Sequence, residues 1–280
     1  MAKTAVLGTG LSGLVGSALV SHLSDHFDFY NLDLTHGVDI LNEQTVAQAL
    51  DEHPATVLLH LAAFTDVNAA QQQLDQKEGS CYQVNVVGTE NIARQCASRN
   101  MHLIHLSTGY IFDGTKRSAY LEDDAKNPTD WYSVTKSLAE DVVLQTLPQS
   151  TILRINFPYR QDDFPKKDIW HKMAAGLSEG KTGPFFADHY FTLTPIEWLT
   201  KIVAWSIAQK PAGIFHATTD TVYSDYTLAQ EIAMNLGLKQ DLQAGSVQQF
   251  NQTASRTYQP SLILSNQKLK KAMGELYPHA

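Results

Sequence analysis

TAVLGTGLSGLVGSALVSHL, residues 4–23, reads as a short apolar strand, a glycine-rich turn and a helix. The glycines can be taken as Gly8-x-Gly10-x-x-Gly13 or as Gly10-x-x-Gly13-x-x-Gly16. Glycines let such a turn bend and let a pyrophosphate reach backbone N–H groups at a helix N-terminus, where the dipole favours an anion. A strand before the pattern and a helix after it separate a phosphate loop from a merely flexible turn.

The same rhythm continues outward. Phe27 to Asp33 is a second strand, and Asp33 lies 23 residues after Gly10 and 17 after Gly16. That is near the offset of an acid that binds the ribose hydroxyls of NAD. The residues that follow, Leu34-Thr35-His36-Gly37, bring no Lys or Arg, which favours NADH over NADPH. A plain strand-end turn is the competing view of Asp33. A helical pattern from Asp39 to Leu50 ends before Pro54, and Thr56 to Leu61 is a buried strand. It closes on His60-Leu61-Ala62-Ala63, where the small Ala62 and Ala63 leave room for a flat cofactor ring against backbone. A helix from Tyr82 to Arg99 carries Asn85 on its first turns. A strand at 101–106, a helix at 133–146 and a strand at 150–155 follow. Strictly alternating strands and helices predict an α/β fold with a doubly wound parallel sheet of Rossmann type.

After Asn156 the texture changes to FPYRQDDFPKKDIWHKM, polar, aromatic and broken by proline. Helices are expected at 167–178, 195–208 and 225–236, with a strand at 213–217. The division predicted is a dinucleotide-binding domain over 1–155 and a smaller substrate-binding region over 156–280, some of whose segments can rejoin the main sheet.

The chemistry is concentrated in His102–Glu140. The strand HLIHLST ends in Ser107 and Thr108, and the helix WYSVTKSLAE carries Tyr132 and Lys136 four residues apart, on one face. An ammonium beside a phenol favours the phenolate and lowers its pKa from about 10. Tyr132 then suits a general acid that protonates a carbonyl oxygen, with Thr108 holding the same oxygen. Tyr-x-x-x-Lys alone also fits a packed Tyr beside a solvated Lys. The Ser-Thr strand end and the glycine turn decide for the catalytic reading.

Among the 280 residues, 43% are hydrophobic and 18% charged, enough apolar mass for a sizeable core. A net charge of -8 without a basic cluster speaks against nucleic acid or an anionic membrane as partner. Without an export signal or a long apolar run, a cytoplasmic protein is expected. Cys81 and Cys96 form no metal or redox motif, and nothing suggests a metal site. His102 and His105 read as packing or strand-end residues, and the Glu122–Asp124 run as a solvated loop.

Taken in order, these motifs resemble the extended short-chain dehydrogenase/reductase family, and within it the dTDP-4-dehydrorhamnose reductases. The likeness rests on Ser107-Thr108-Gly109-Tyr110-Ile111-Phe112-Asp113-Gly114, on Asn127-Pro128, on Tyr132, Lys136 and Glu140, and on Arg256 to Leu269. It implies Thr108, Tyr132 and Lys136 as catalytic residues and Gly10, Gly13 and Gly16 as the phosphate loop. It also implies that Asn85 supports the catalytic Lys through water and that Asp188 to Thr192 lies over the substrate, with a structural loop as the alternative. The implied reaction is reduction of a keto group on a nucleotide-activated deoxysugar in dTDP-rhamnose-type biosynthesis. The implied cofactor is NADH with NADPH as alternative, the implied partners a nucleotide sugar and a second copy in a homodimer. Three departures stand out. Gly109 replaces an Asp, Asn68 and Gln71 replace acids, and Phe157 or Pro158 stands where a Trp is usual. All three are read as substrate-side changes. A sugar-nucleotide epimerase and a non-catalytic nucleotide-binding regulatory subunit remain as alternatives.

Overall fold

The structure, a computed structural model, describes residues 3–254 and 256–278. Its centre is a six-stranded parallel sheet: β1 (Thr4–Thr9), β2 (Phe27–Leu32), β3 (Val57–His60), β4 (His102–Thr108), β5 (Thr151–Ile155) and β6 (Gly213–His216). The spatial order is β6-β5-β4-β3-β1-β2. Each residue of β3 and β5 is buried, as expected of parallel strands covered on both faces.

The strand period of two sorts the core. Val6, Leu59 and Leu153 turn to the face covered by α1 (Leu14–Leu23) and by the helix Ile196–Gln209. Leu7, Leu58 and Leu103 turn to the opposite face, against α2 (Glu43–Glu52), α3 (Gly88–Ser98) and α4 (Trp131–Thr146). A π-helical turn at Gln83–Val87 leads into α3 and carries Asn85. Such turns recur at functional sites.

β1 pairs with β2 on one side and with β3 on the other, so the strand order reverses there. Ligands of open α/β sheets bind outside the carboxyl ends of the strands at such a reversal. The glycine turn and His60-Leu61-Ala62-Ala63 both lie there.

Within the expected substrate region, whose last two residues fall outside the described chain as the first two do in the other, β6 pairs with β5 and completes the main sheet. Between these returns, Leu177, Phe185, Phe191, Leu228, Ile232 and Leu262 form a core of their own. It holds a three-stranded sheet in which Tyr190–Thr192 lies between Val222–Ser224 and Ser261–Leu262.

Behind α4 runs a buried ionic network. Arg154 of β5 clamps Glu140 of α4 with two hydrogen bonds of 2.9 and 2.8 Å, and Ser107 donates to the same carboxylate at 2.5 Å. Its remaining nitrogen donates to the Glu122 carbonyl at 3.0 Å. The Glu122 carboxylate accepts from the His216 backbone N–H, so Glu122 is buried and not a solvated loop residue as the sequence suggests. Only a buried guanidinium and the β6 backbone, both distant in sequence, make that burial tolerable.

Candidate active site

The three loop glycines have separable jobs. Gly10 sits at φ +68°, and a Cβ there would lie 2.7 Å from the Ala62 nitrogen, so only glycine fits the turn. A Cβ at Gly16 would lie 2.4 Å from the Gly10 carbonyl oxygen, so this glycine lets α1 pack onto the loop. Gly13 is different. Its Cβ would meet only the Gly10 oxygen, at 3.2 Å, and its open side faces the cavity. No side chain caps α1 at Gly13, which leaves the first backbone N–H groups of the helix free for an anion. Gly13→Val is expected to lose dinucleotide binding by calorimetry with an unchanged melting temperature. Gly16→Val is expected to lower that temperature steeply. Normal binding by Gly13→Val would leave the loop a turn only.

Asp33 ends β2 beside this loop. Its carboxylate accepts from the Thr35 and His36 backbone N–H groups at 3.0 and 3.2 Å and from the Ser12 hydroxyl at 3.3 Å. Burial opposes ionisation there, but the hydrogen bonds from Thr35 and His36 outweigh it and hold the carboxyl down at about 2. Asp33 is not itself in the cavity wall; Ser12, which it orients, is.

A cavity of about 1010 Å³ runs from the glycine loop to the C-terminal core. Gly10, Gly13, Gly16, Ala62 and Ala63 line it at the glycine loop, together with Thr108, Tyr132 and Lys136. α4 starts on a capping box in which Asp130 and Ser133 hold each other, which fixes Tyr132 on the first turn and Lys136 on the next. Burial pushes the Tyr132 phenol well above its ordinary value, opposed by the Thr108 hydroxyl. Burial also pulls the Lys136 ammonium down to about 8, opposed by the charge of Glu140 one turn along. The expectation that Lys136 lowers the Tyr132 pKa is therefore corrected. Lys136 donates to the Leu106 carbonyl at 2.9 Å and lies 3.4 Å from His105 Nε2, so its charge is spent on β4.

The sequence model of the RmlD substrate binding domain family matches residues 4–279. The chain belongs to this family. Among curated relatives, the dTDP-4-dehydrorhamnose reductase of Aggregatibacter actinomycetemcomitans is 32% identical over 236 residues, 80% of this chain and 76% of that protein. The probable low-salt glycan biosynthesis reductase Agl14 of Haloferax volcanii is 28% identical over 274 residues, 92% of this chain and 89% of that protein. The dTDP-4-dehydrorhamnose reductase of Bacillus anthracis, solved in complex with NADP, superposes with a TM-score of 0.87 at 23% identity, covering 98% of this chain and 94% of that one. That likeness shows the Rossmann-type fold.

Against the RmlD family pattern, the departures read differently in the structure. Gly109 does not line the cavity; a Cβ there would face Leu264 at 3.0 Å and the Asn156 side-chain oxygen at 3.3 Å. Gln71 accepts from the Trp131 backbone N–H at the start of α4, and Asn68 is exposed. Neither is a cavity residue, so two of the three departures are not substrate-side changes. The third is: Phe157 and Pro158 both line the cavity. Phe157 takes φ +41°, rare for a bulky residue, and packs 4.4 Å from Phe191 and 5.7 Å from Tyr110.

Asn85 is buried on the π-helical turn that leads into α3. Its amide accepts from the Phe64 N–H at 2.7 Å and donates to the Phe64 carbonyl and to Thr135, with no bond to Lys136. It pins the turn after Ala63. The neighbour Lys136 does have is His105, which the sequence presents as packing.

Proposed function

We propose that this chain reduces the keto group of a nucleotide-linked deoxysugar with a nicotinamide dinucleotide. The observation that carries the reading is one cavity holding the open Gly13 loop and, beyond it, Thr108, Tyr132 and Lys136. The loop fits the cofactor because a glycine without steric neighbours meets an uncapped helix N-terminus there. When bound, a reduced nicotinamide supplies hydride to the carbonyl carbon. Gly13 and the first N–H groups of α1 hold pyrophosphate, Asp33 accepts from ribose hydroxyls, and Lys136 reaches the nicotinamide ribose. The raised phenol keeps Tyr132 protonated until it gives its proton to the carbonyl oxygen, and Thr108 orients that oxygen. Lys166, Lys167, Lys172 and Lys181 line the substrate end, a cationic wall suited to a diphosphate. The relatives named as dTDP-4-dehydrorhamnose reductases support the same substrate class.

NADH is the preferred cofactor in this reading, because an ionised Asp33 repels a 2′-phosphate and no Lys or Arg follows it. The NADP in the Bacillus anthracis structure sets the opposite precedent. Asp33→Ala is expected to weaken NADH while leaving or strengthening NADPH, read from dissociation constants; tighter NADPH binding by the unaltered protein would reject the preference. The reaction itself is tested by oxidation of either cofactor against a panel of dTDP- and UDP-linked 4-keto sugars. Tight dinucleotide binding with no turnover on any of them would favour a regulatory subunit.

A further inference from the structure

His60 and His105 are register partners across β3 and β4, their rings 5.3 Å apart and both wholly buried. The hydrogen bonds around His60 can run in only one direction. Thr89 donates its hydroxyl to the Asn85 carbonyl at 2.7 Å, so its oxygen must accept from His60 Nε2–H at 2.9 Å. His60 Nδ1 is then bare and accepts the Thr9 hydroxyl proton at 2.6 Å, while Thr9 accepts from the Ala62 N–H at 3.2 Å. His60 is neutral, and its work is to fix the Ala62 turn.

His105 is held otherwise. An ammonium can only donate, so His105 Nε2, 3.4 Å from Lys136 Nζ, must be the acceptor and the ring proton sits on Nδ1. That Nδ1–H is buried with no partner. A buried donor without an acceptor is costly and calls for a reason. Here the reason is at the other nitrogen.

We propose that His105 is a positioning residue for Lys136, its neutral imidazole accepting one ammonium N–H while the Leu106 carbonyl accepts a second. The third N–H is thereby aimed into the cavity that Lys136 lines. The assignment rests on the reductase reading of the site. The groups facing Lys136 are Tyr132 and Glu140 from its own helix, Cys81 from the helical segment Ser80–Tyr82, and His60 and His105 from the sheet. Only Glu140 is anionic, and Arg154 already clamps it. Acceptors on β4 therefore decide where the ammonium points, and with the Glu140 charge they help it keep its proton. Removing one of them leaves an ammonium N–H unpaired in a buried place, which favours the neutral amine.

The test uses the full chain as wild type, His105→Gln, His105→Leu and Lys136→Met. Nitrogen-15 NMR of the histidine rings, without cofactor, is expected to show His105 protonated on Nδ1 and bare on Nε2. Fluorescence titration with NADH and NADPH across pH supplies the second measurement. Wild-type affinity should fall as pH rises through about 8. For His105→Leu the same fall should come about one pH unit lower, so that binding is about twofold weaker at pH 7 and roughly tenfold weaker near pH 9. His105→Gln, whose side-chain oxygen can replace Nε2, should recover most of the loss, and Lys136→Met should show no such transition. A His105 ring protonated on Nε2, or a His105→Leu profile identical to wild type, overturns the assignment. If wild type binds neither dinucleotide, the reductase reading fails, and the ring tautomer alone decides for or against His105. The NMR result also stands if the Leu variant does not fold.

Discussion

Tyr132→Phe is expected to slow keto-sugar reduction by a factor of about 100 or more while dinucleotide affinity stays as it was. Tyr132 is half-buried, and Tyr110 packs against its ring edge-on at 6.3 Å, a contact that Phe preserves. What is lost is the phenolic proton assigned to the carbonyl oxygen. Ser107, its neighbour along β4, gives its hydroxyl proton to Glu140. Thr108 is left, a far weaker acid. Lys136→Met should differ in kind, lowering both rate and cofactor affinity. Steady-state rates with calorimetric binding separate the two. A Phe variant that reduces a substrate at the unmodified rate would remove Tyr132 from the mechanism.

Acidification from pH 7 to pH 5 is expected to remove about 6 kcal/mol of folding stability, arising from three buried histidines at about 2 kcal/mol each. Burial holds His60 and His216 down at about 3 and His105 well below its ordinary value. Each native pKa lies below the unfolded one, so the unfolded chain takes up protons first as pH falls through about 6.5. The folded chain stays unprotonated at pH 5, and the equilibrium moves toward unfolding. Lys136 adds no slope in this window because it is protonated in both states below about 8. Asp33, held at about 2, contributes only near pH 4 and below. The loss is comparable to the whole stability of many domains, roughly 5–15 kcal/mol. Urea unfolding at the two pH values measures it, and a difference below about 1 kcal/mol would contradict neutral burial of these rings.

The fold was legible because its signals are local. Glycine spacing, apolar strands and the Tyr132–Lys136 spacing are each written within a few residues, and β1 to β5 lie where the alternation puts them. Placement in the site was less legible wherever it depends on a partner far along the chain. His105 looks like any strand histidine until β3 and β4 are set in register and Lys136 reaches across from α4. Glu122 looks solvated until Arg154 and His216 arrive from β5 and β6. Gly109 looks like a lost polar group until Leu264, more than a hundred residues on, fills the space in front of it. The Tyr132 phenol shows the same limit, since spacing gives the distance to a charge along a helix but not the direction in which that charge is spent.

The return of β6 bears on how such a protein can be divided or recombined. A ribosome that has released only the first 155 residues presents β5 with an open edge, unpaired until β6 is made some sixty residues later. An exposed edge of that kind invites pairing with another chain. The helix Ile196–Gln209, which covers α1 and one face of the sheet, is equally late. Exchange of substrate regions between relatives by a single crossover after β5 would therefore also exchange an outer strand and a covering helix of the partner half. A graft that keeps Ile196–His216 with the first half and replaces only the segments around it respects the way the molecule is built.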